Sequence, residues 1–296
     1  MKEKICSGIF GLVVGDALGV PFEFCQRDTF KAEGMTGYGT HSQPPGTWSD
    51  DSSLTLATLD SIASCGRINA NDIMRRFAEW LQCGHYTARG EVFDVGVTTQ
   101  SAIWRYLMGT PAKNCGGSTE SSNGNGALMR ILPLAFVPHS INDIHAVAGL
   151  THAHEISRYA CEIYLDVAAG LLAGIRKTYA VYGALGGFWP KQFERLEQLD
   201  NLSRDEIRST GYVVDTLEAA LWCLLKTDSY RDCVLTAVNL GEDTDTVAAV
   251  AGGLAGILYG VGGEKGIPEE WIAQITKRED IELLCAKFAS RMDGDG

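Results

Sequence analysis

The chain has 296 residues, 45% of them apolar and 21% charged, with a formal net charge of −12. That apolar share fills a continuous core and argues against disorder, while so acidic a field repels phosphate backbones and sets a nucleic-acid partner aside. The nine cysteines are odd in number and scattered, the closest pair being Cys223 and Cys233, so neither a C-x-x-C motif nor a disulfide framework is expected, and a reducing, cytoplasmic environment is.

Lys2, Glu3 and Lys4 open an uncharged run from Ile5 to Gly15 in which Ile5, Ile9, Leu12 and Val13 keep helical spacing. Asp16 ends the run where a secretory cleavage site would want small residues. No apolar stretch reaches the ~20 residues of a membrane span, so neither leader nor membrane anchor is expected. Leu54, Leu56, Leu59 and Ile62 mark a second helix. Further helices are expected near 70–83, 94–108, 127–137, 141–150, 154–176, 212–226, 229–240, 245–260 and 279–291, with loops at 25–48, 109–126, 183–210 and 262–268. Nothing alternates with period two. The expected fold is all-α, one domain over residues 1–296.

Glycine placement sharpens this. Gly8, Gly11, Gly15 and Gly19 recur in the first helix. Gly252, Gly256 and Gly260 do so in a late one, beside Ala248, Ala249 and Ala251. Glycine costs ~1 kcal/mol relative to alanine inside a helix. Repeating it at three- and four-residue spacing therefore predicts two central, buried helices whose backbones pack closely. The segment 114–126 is rich in Gly, Ser and Asn, too polar to pack, and reads as a disordered insertion or a binding loop.

Two acidic motifs precede apolar helices: Ser49-Asp50-Asp51-Ser52 and Asp243-Thr244-Asp245-Thr246. Each resembles a helix cap, but a cap needs one side-chain oxygen, and each motif brings two carboxylates and hydroxyls. Carboxylates ~4 Å apart repel by about 4 kcal/mol per pair at an effective dielectric of ~20. If the motifs meet, they must take up protons or cations. Oxygen ligands without His or Cys favour Mg²⁺, Mn²⁺ or Ca²⁺ over zinc. Asp16 in an apolar helix is expensive unless paired, and Glu23, read alone, is an ordinary surface acid. Asn123-Gly124-Asn125-Gly126 leads into a helix start whose free N–H groups suit a pyrophosphate, or is a plain turn. His152 and His154 share no helical face and lack the H-E-x-x-H spacing. Dinucleotide, P-loop and nucleophile-elbow motifs are absent.

Together and in this order, GDALGVPFE (15–23), GTWSDDS (46–52), NGNGALMRILPLA (123–135), THAHE (151–155) and GEDTDTVAAVAGGLAG (241–256) resemble the ADP-ribosylglycohydrolase family. The resemblance implies a compact, orthogonal helical bundle with a metal-lined cleft. It implies metal-dependent hydrolysis of the glycosidic bond joining ADP-ribose to an acceptor, a protein side chain with arginine favoured. The alternatives are a small-molecule or nucleobase conjugate as substrate, or a non-catalytic ADP-ribose-binding relative. Carried over by position, Ser49, Asp50 and Asp51 would hold one divalent cation, Mg²⁺ or Mn²⁺. Asp243, Asp245 and Thr246 would hold a second, with Asp245 bridging. Glu23 or Asp51 would be the catalytic carboxylate. Ser122, Asn123, Gly124, Asn125, Gly126 and His152 would bind the ADP-ribose moiety. The expected partner is an ADP-ribosylated protein or small molecule, whose acceptor the loops 25–48 and 183–210 would read.

Overall fold

The computed structural model describes residues 1–293 and builds them from helices: α1 (Lys2–Gly19), α2 (Asp50–Cys65), α3 (Ala70–Cys83), α4 (Val97–Leu107), α5 (Ile141–Ala148), α6 (Glu155–Leu172), α7 (Lys177–Ala184), α8 (Val213–Lys226), α9 (Tyr230–Val238), α10 (Thr244–Tyr259), α11 (Glu269–Gln274) and α12 (Arg278–Asp293). Only isolated bridges pair extended backbone among the described residues, so the fold is all-α.

Helices α1 and α10 have no polar face. Every residue from Ser7 to Gly19 and from Thr244 to Ile257 is buried. They run antiparallel in backbone contact. A Cβ on Gly11 would overlap the Gly252 carbonyl, one on Gly15 the Ala248 carbonyl, and one on Gly256 the Ser7 carbonyl. Around this seam Tyr230 Oη donates to Gly11 O (2.7 Å) and Tyr164 Oη to Val250 O (3.1 Å). These bonds place two fully buried tyrosine rings without leaving either hydroxyl unpaired. The stretch Lys2–Phe22 is in fact long and apolar enough to cross a membrane, contrary to the expectation above, but 89% of its apolar window is buried inside the protein. It is the core helix.

Several boundaries differ from expectation. The segment 127–137 is not an α-helix but two 3-10 helices, Asn125–Arg130 and Leu132–Phe136, because Pro133 offers no N–H to continue the ladder. The helix expected over 154–176 stops at Leu172. Gly174 then takes a left-handed turn (φ 78°) and α7 begins three residues on. The loop 183–210 contains a 3-10 stretch, Lys191–Asn201, that buries Phe193, Leu196 and Leu199. The polar segment 114–126 does pack: Cys115, Ser122 and Asn123 are buried. Its backbone is tied to the neighbours by Gly117 N–H to Thr151 O (2.8 Å), Asn125 N–H to Gly211 O (3.1 Å), and Val213 N–H to Asn123 O (2.9 Å).

The seam makes a stability prediction of definite sign. On an exposed helix Gly15→Ala would stabilise by ~1 kcal/mol. Here the added methyl must push α1 off α10, an overpacking cost of about 1–3 kcal/mol, so urea unfolding should show net destabilisation. A midpoint at or above that of the parent would mean the helices are not in backbone contact.

Candidate metal centre and cleft

The seam carries the C-terminal end of α1 onto the N-terminus of α10. A Cβ on Gly19 would collide with the backbone of Asp245, and Thr244 Oγ1 donates to Gly19 O at 2.8 Å. One turn earlier, fully buried Asp16 receives Ser49 N–H on both oxygens (2.9 and 3.1 Å), Ser52 N–H (3.0 Å) and Ser52 Oγ–H (2.5 Å). It thereby satisfies N–H groups that the first turn of α2 leaves open. Ser49 caps the same helix, accepting Asp51 N–H at 3.3 Å. Asp16 is thus paired, as its burial requires, and its pairing pins the start of α2 beside the start of α10. The two acidic motifs meet: Thr246 Oγ1 donates to Asp51 Oδ2 at 3.3 Å, and Ser49 Oγ to the same oxygen at 3.1 Å.

Asp243 stands at the N-cap position of α10 yet makes no capping bond. Its Oδ2 instead receives Asn125 Nδ2–H at 2.8 Å. Asp245 Oδ1 receives Thr246 N–H at 2.9 Å. Three carboxylate oxygens remain buried without a hydrogen-bond partner: Asp51 Oδ1, Asp243 Oδ1 and Asp245 Oδ2. Carboxylate oxygens gather within 4.8 Å of one another in two sets that share Asp245, namely Asp16, Asp51 and Asp245, and Glu23, Asp243 and Asp245. Asp16 is already engaged by three donors in four hydrogen bonds, so the oxygens free to ligate belong to Asp51, Asp243, Asp245 and Glu23. An all-oxygen set with unpartnered buried carboxylates fits hard divalent cations.

This arrangement corrects several expectations. Glu23 is no surface acid: it is 5% exposed and paired with His41. Asp50 belongs to neither set and lies on the cleft wall. The Ser49 hydroxyl is turned onto Asp51. Asp51 itself is fully buried and off the cleft surface. Two residues went unnoticed in the sequence. His41 sits beside Glu23, and half-buried Asp94 reaches both Glu23 and Asp245 from a loop position with φ 53°. Neither lies in a motif or on a periodic face, so no spacing marked it.

Burial dominates the electrostatics. It pushes the Glu23 carboxyl up to about 7 against the lowering hydrogen bond from His41, and Asp16 to about 6 against its own donors. It holds Asp50, Asp51 and Asp245 well above the usual carboxylate range, with neighbouring carboxylates adding to the effect. Asp243 and Asp94 are raised for the same first reason. The Glu23 hydrogen bond raises His41.

Above the centre opens a cleft of about 350 Å³, lined by Glu23, Asp50, Asp94, Asp243, Thr246, Gly124, Asn125, Gly126 and His152 among others. Ser122 and Asn123 do not line it. Ser122 bonds Thr119, while Asn123 accepts from Ser157 Oγ (3.0 Å) and donates to Glu120 O (3.1 Å), both behind the wall. The Asn125 side chain is likewise committed, to Asp243 and Thr216.

Comparison with known proteins matches the family model described as ADP-ribosylglycohydrolase over residues 1–296. The chain belongs to the ADP-ribosylglycohydrolase family. Among family relatives, an ADP-ribosylarginine hydrolase of Serratia proteamaculans is 32% identical over 293 residues, covering 97% of this chain and 79% of that one. The ADP-ribosyl-dinitrogen reductase glycohydrolase of Rhodospirillum rubrum is 31% identical over 300 residues, covering 96% and 94%. A solved structure described as an ADP-ribosylglycohydrolase-related protein complex superimposes with a TM-score of 0.84 at 30% identity, covering 98% of both chains.

The raised carboxyls make a further prediction for this ADP-ribosylglycohydrolase family member. With folded values of about 6 for Asp16 and 7 for Glu23, the native state holds protons that the unfolded chain releases near 4. Metal-free stability therefore falls as pH rises from about 4 through about 7. The melting temperature of chelator-treated protein should drop between about pH 5 and 8, and added divalent cation should raise it most at the alkaline end. A chelated protein that becomes more stable over that range would contradict the account.

Proposed function

We propose that the protein hydrolyses the glycosidic bond between ADP-ribose and a modified protein side chain, with arginine as the preferred acceptor and two divalent cations, Mg²⁺ or Mn²⁺, as cofactors. The observation that carries this reading is Asp245, shared by two carboxylate sets with one buried oxygen unpartnered, beneath a cleft lined by Asp243, Thr246, Gly124–Gly126 and His152. The relatives named for ADP-ribosylarginine and ADP-ribosyl-dinitrogen reductase support the choice of acceptor.

Asp51 and Asp245 would hold one cation and Asp243 and Asp245 the other. Two such cations would bring four positive charges and offset the repulsion among Asp50, Asp51, Asp243 and Asp245. Bound there, the cations would supply Lewis acidity toward the ribose hydroxyls and toward water. The protein's own groups do the rest. Ser49 and Thr246 orient Asp51 through Oδ2, and Asn125 orients Asp243, so the free oxygens of both acids keep one direction. Gly124 and Gly126 present bare backbone on the cleft wall, where a diphosphate would lie.

The proton carrier is Glu23 rather than Asp51. Glu23 faces the cleft, and burial brings it to about 7, where both protonation states are accessible. Asp51 is sealed beneath. Water adds its oxygen to the anomeric carbon as the bond to the acceptor nitrogen breaks. One proton goes to that nitrogen and one is taken from the water, and Glu23 can deliver the first and accept the second.

Asp245→Ala should lower release of ADP-ribose from arginine-linked substrate by roughly a thousandfold, the ~4 kcal/mol scale of a lost charge-stabilising interaction. Glu23→Gln should cost about 10²–10⁴ in turnover while ADP-ribose still binds. Chelation should abolish activity, and Mg²⁺ or Mn²⁺ restore it. Full activity in Asp245→Ala, or indifference to chelator, would refute the metal mechanism. A panel of arginine-, serine- and aspartate-linked substrates tests the acceptor.

A further inference from the structure

Arg130 is a cation sealed in the core with no carboxylate beside it among the described residues. Its guanidinium lies 4.7 Å from the centroid of the Phe77 ring. Its Nη2 donates to Val147 O (3.2 Å) and to Thr151 Oγ1 (2.7 Å), and Nε and Nη1 have no hydrogen-bond partner. Both Arg130 and Thr151 are 0% exposed. Burying an unpaired charge is expensive, and the cation–π contact offsets only part of that. The arrangement has one consequence that reaches the cleft.

A guanidinium only donates. The two Nη2 protons are both placed, one on Val147 O and one on Thr151 Oγ1. Thr151 therefore accepts from Arg130, and its own proton needs an acceptor. Within hydrogen-bond distance among the described residues that acceptor is His152 Nδ1, 2.8 Å away. A neutral imidazole that accepts at Nδ1 carries its proton on Nε2. Nε2 has no protein partner and faces the cleft, where the ring fills the space that side chains at Gly124 and Gly126 would need. A Cβ on Gly126 would lie 2.7 Å from His152 Cε1, and one on Gly124 3.3 Å from Nε2. Burial, helped by the charge of Arg130, pushes the imidazole down to about 3, so the ring is neutral across the working range.

We propose that Arg130, acting through Thr151, is a positioning residue that locks His152 as a neutral Nε2–H donor aimed at a phosphate or ribose oxygen of the ligand. The choice of ligand rests on the function proposed above; the relay from Arg130 to His152 does not. A neutral donor serves this cleft better than an imidazolium. A charged ring across the cleft from the carboxylates would draw on the same negative field as the cations, and its hold on the ligand would vary with pH. The relay also gives Gly126 a second reason to be glycine, since the imidazole can reach the cleft only past a residue without a side chain.

The full-length protein, labelled with ¹⁵N-histidine and examined by long-range ¹⁵N–¹H correlation, tests the relay without ligand, the His152 signals being assigned by their loss in His152→Asn. The expected spectrum shows Nε2 protonated and Nδ1 bare, alike at about pH 6 and pH 8. Calorimetry with ADP-ribose then tests the donor. Thr151→Val should let the Nδ1–H form appear and weaken binding about tenfold, the scale of one hydrogen bond, whereas Thr151→Ser should restore both ring state and affinity. A wild-type ring protonated on Nδ1 or on both nitrogens overturns the relay, whether or not the valine variant folds. So does a Thr151→Val protein with wild-type spectrum and affinity. A wild-type protein with the expected ring state that fails to bind ADP-ribose would overturn the ligand assignment, and with it the proposed function, while the relay would stand.

Discussion

Where α1 lies against α10 there is no room for a side chain, and the position of the acidic centre follows from that contact. Glycine at 11, 15, 19, 252 and 256 lets carbonyls and α-carbons of the two helices touch. The cost of about 1 kcal/mol per glycine is offset by dispersion along the buried, mainly apolar middle of both helices. The antiparallel contact brings Gly19 onto Asp245. Asp16, one turn back, then falls within reach of Ser49 and Ser52 and draws in the start of α2. Three helix ends converge, two of them N-termini whose partial positive charge favours carboxylates. Remove the seam and the two acidic motifs have no reason to meet.

That convergence conflicts with stability. Seven acids, Asp16, Glu23, Asp50, Asp51, Asp94, Asp243 and Asp245, share one region, and among the described residues His41 is the only basic side chain paired with any of them. Burial raises every one of their proton affinities. The protein could have neutralised the cluster with lysine or arginine and did not, although Arg130 shows that the core accommodates a buried cation. The nearest physical explanation is that the compensating charge arrives from outside as metal. On the far wall the polarity is inverted: a neutral imidazole faces the cleft instead of acids, with a buried hydroxyl and a buried cation behind it. A diphosphate sugar has anionic and hydroxyl-bearing ends, and a cleft with one acidic, cation-binding wall and one donor wall is matched to both.

Much of this was readable beforehand, for reasons that differ by residue. The long helices declared themselves through 3.6-residue periodicity, and the seam through glycine spacing that costs too much to be incidental. The short helices α7 and α11 gave no periodicity that registered, and Pro133 split a helix that the apolar pattern alone made continuous. Doubled carboxylates at two helix starts marked the centre, but their meeting depended on tertiary contact. Glu23 looked like a surface acid because local sequence carries no burial signal beside a turn, and only the family resemblance singled it out. His41 ends a three-residue 3-10 turn and Asp94 sits in an irregular loop, where position is set by backbone path. Ser122 and Asn123 are cleft residues by position in the family resemblance, yet at the end of the 3-10 turn Glu120–Ser122 their side chains bond the framework instead.

The central claim is that Asp51, Asp243 and Asp245 bind two cations at the junction of α1, α2 and α10. Crystals grown with Mn²⁺ and measured for anomalous scattering test it directly. The account predicts two manganese peaks flanking Asp245, one shared with Asp51 and one with Asp243. Crystals in which manganese is absent from this junction, or occupies only exposed acids elsewhere on the surface, would contradict it.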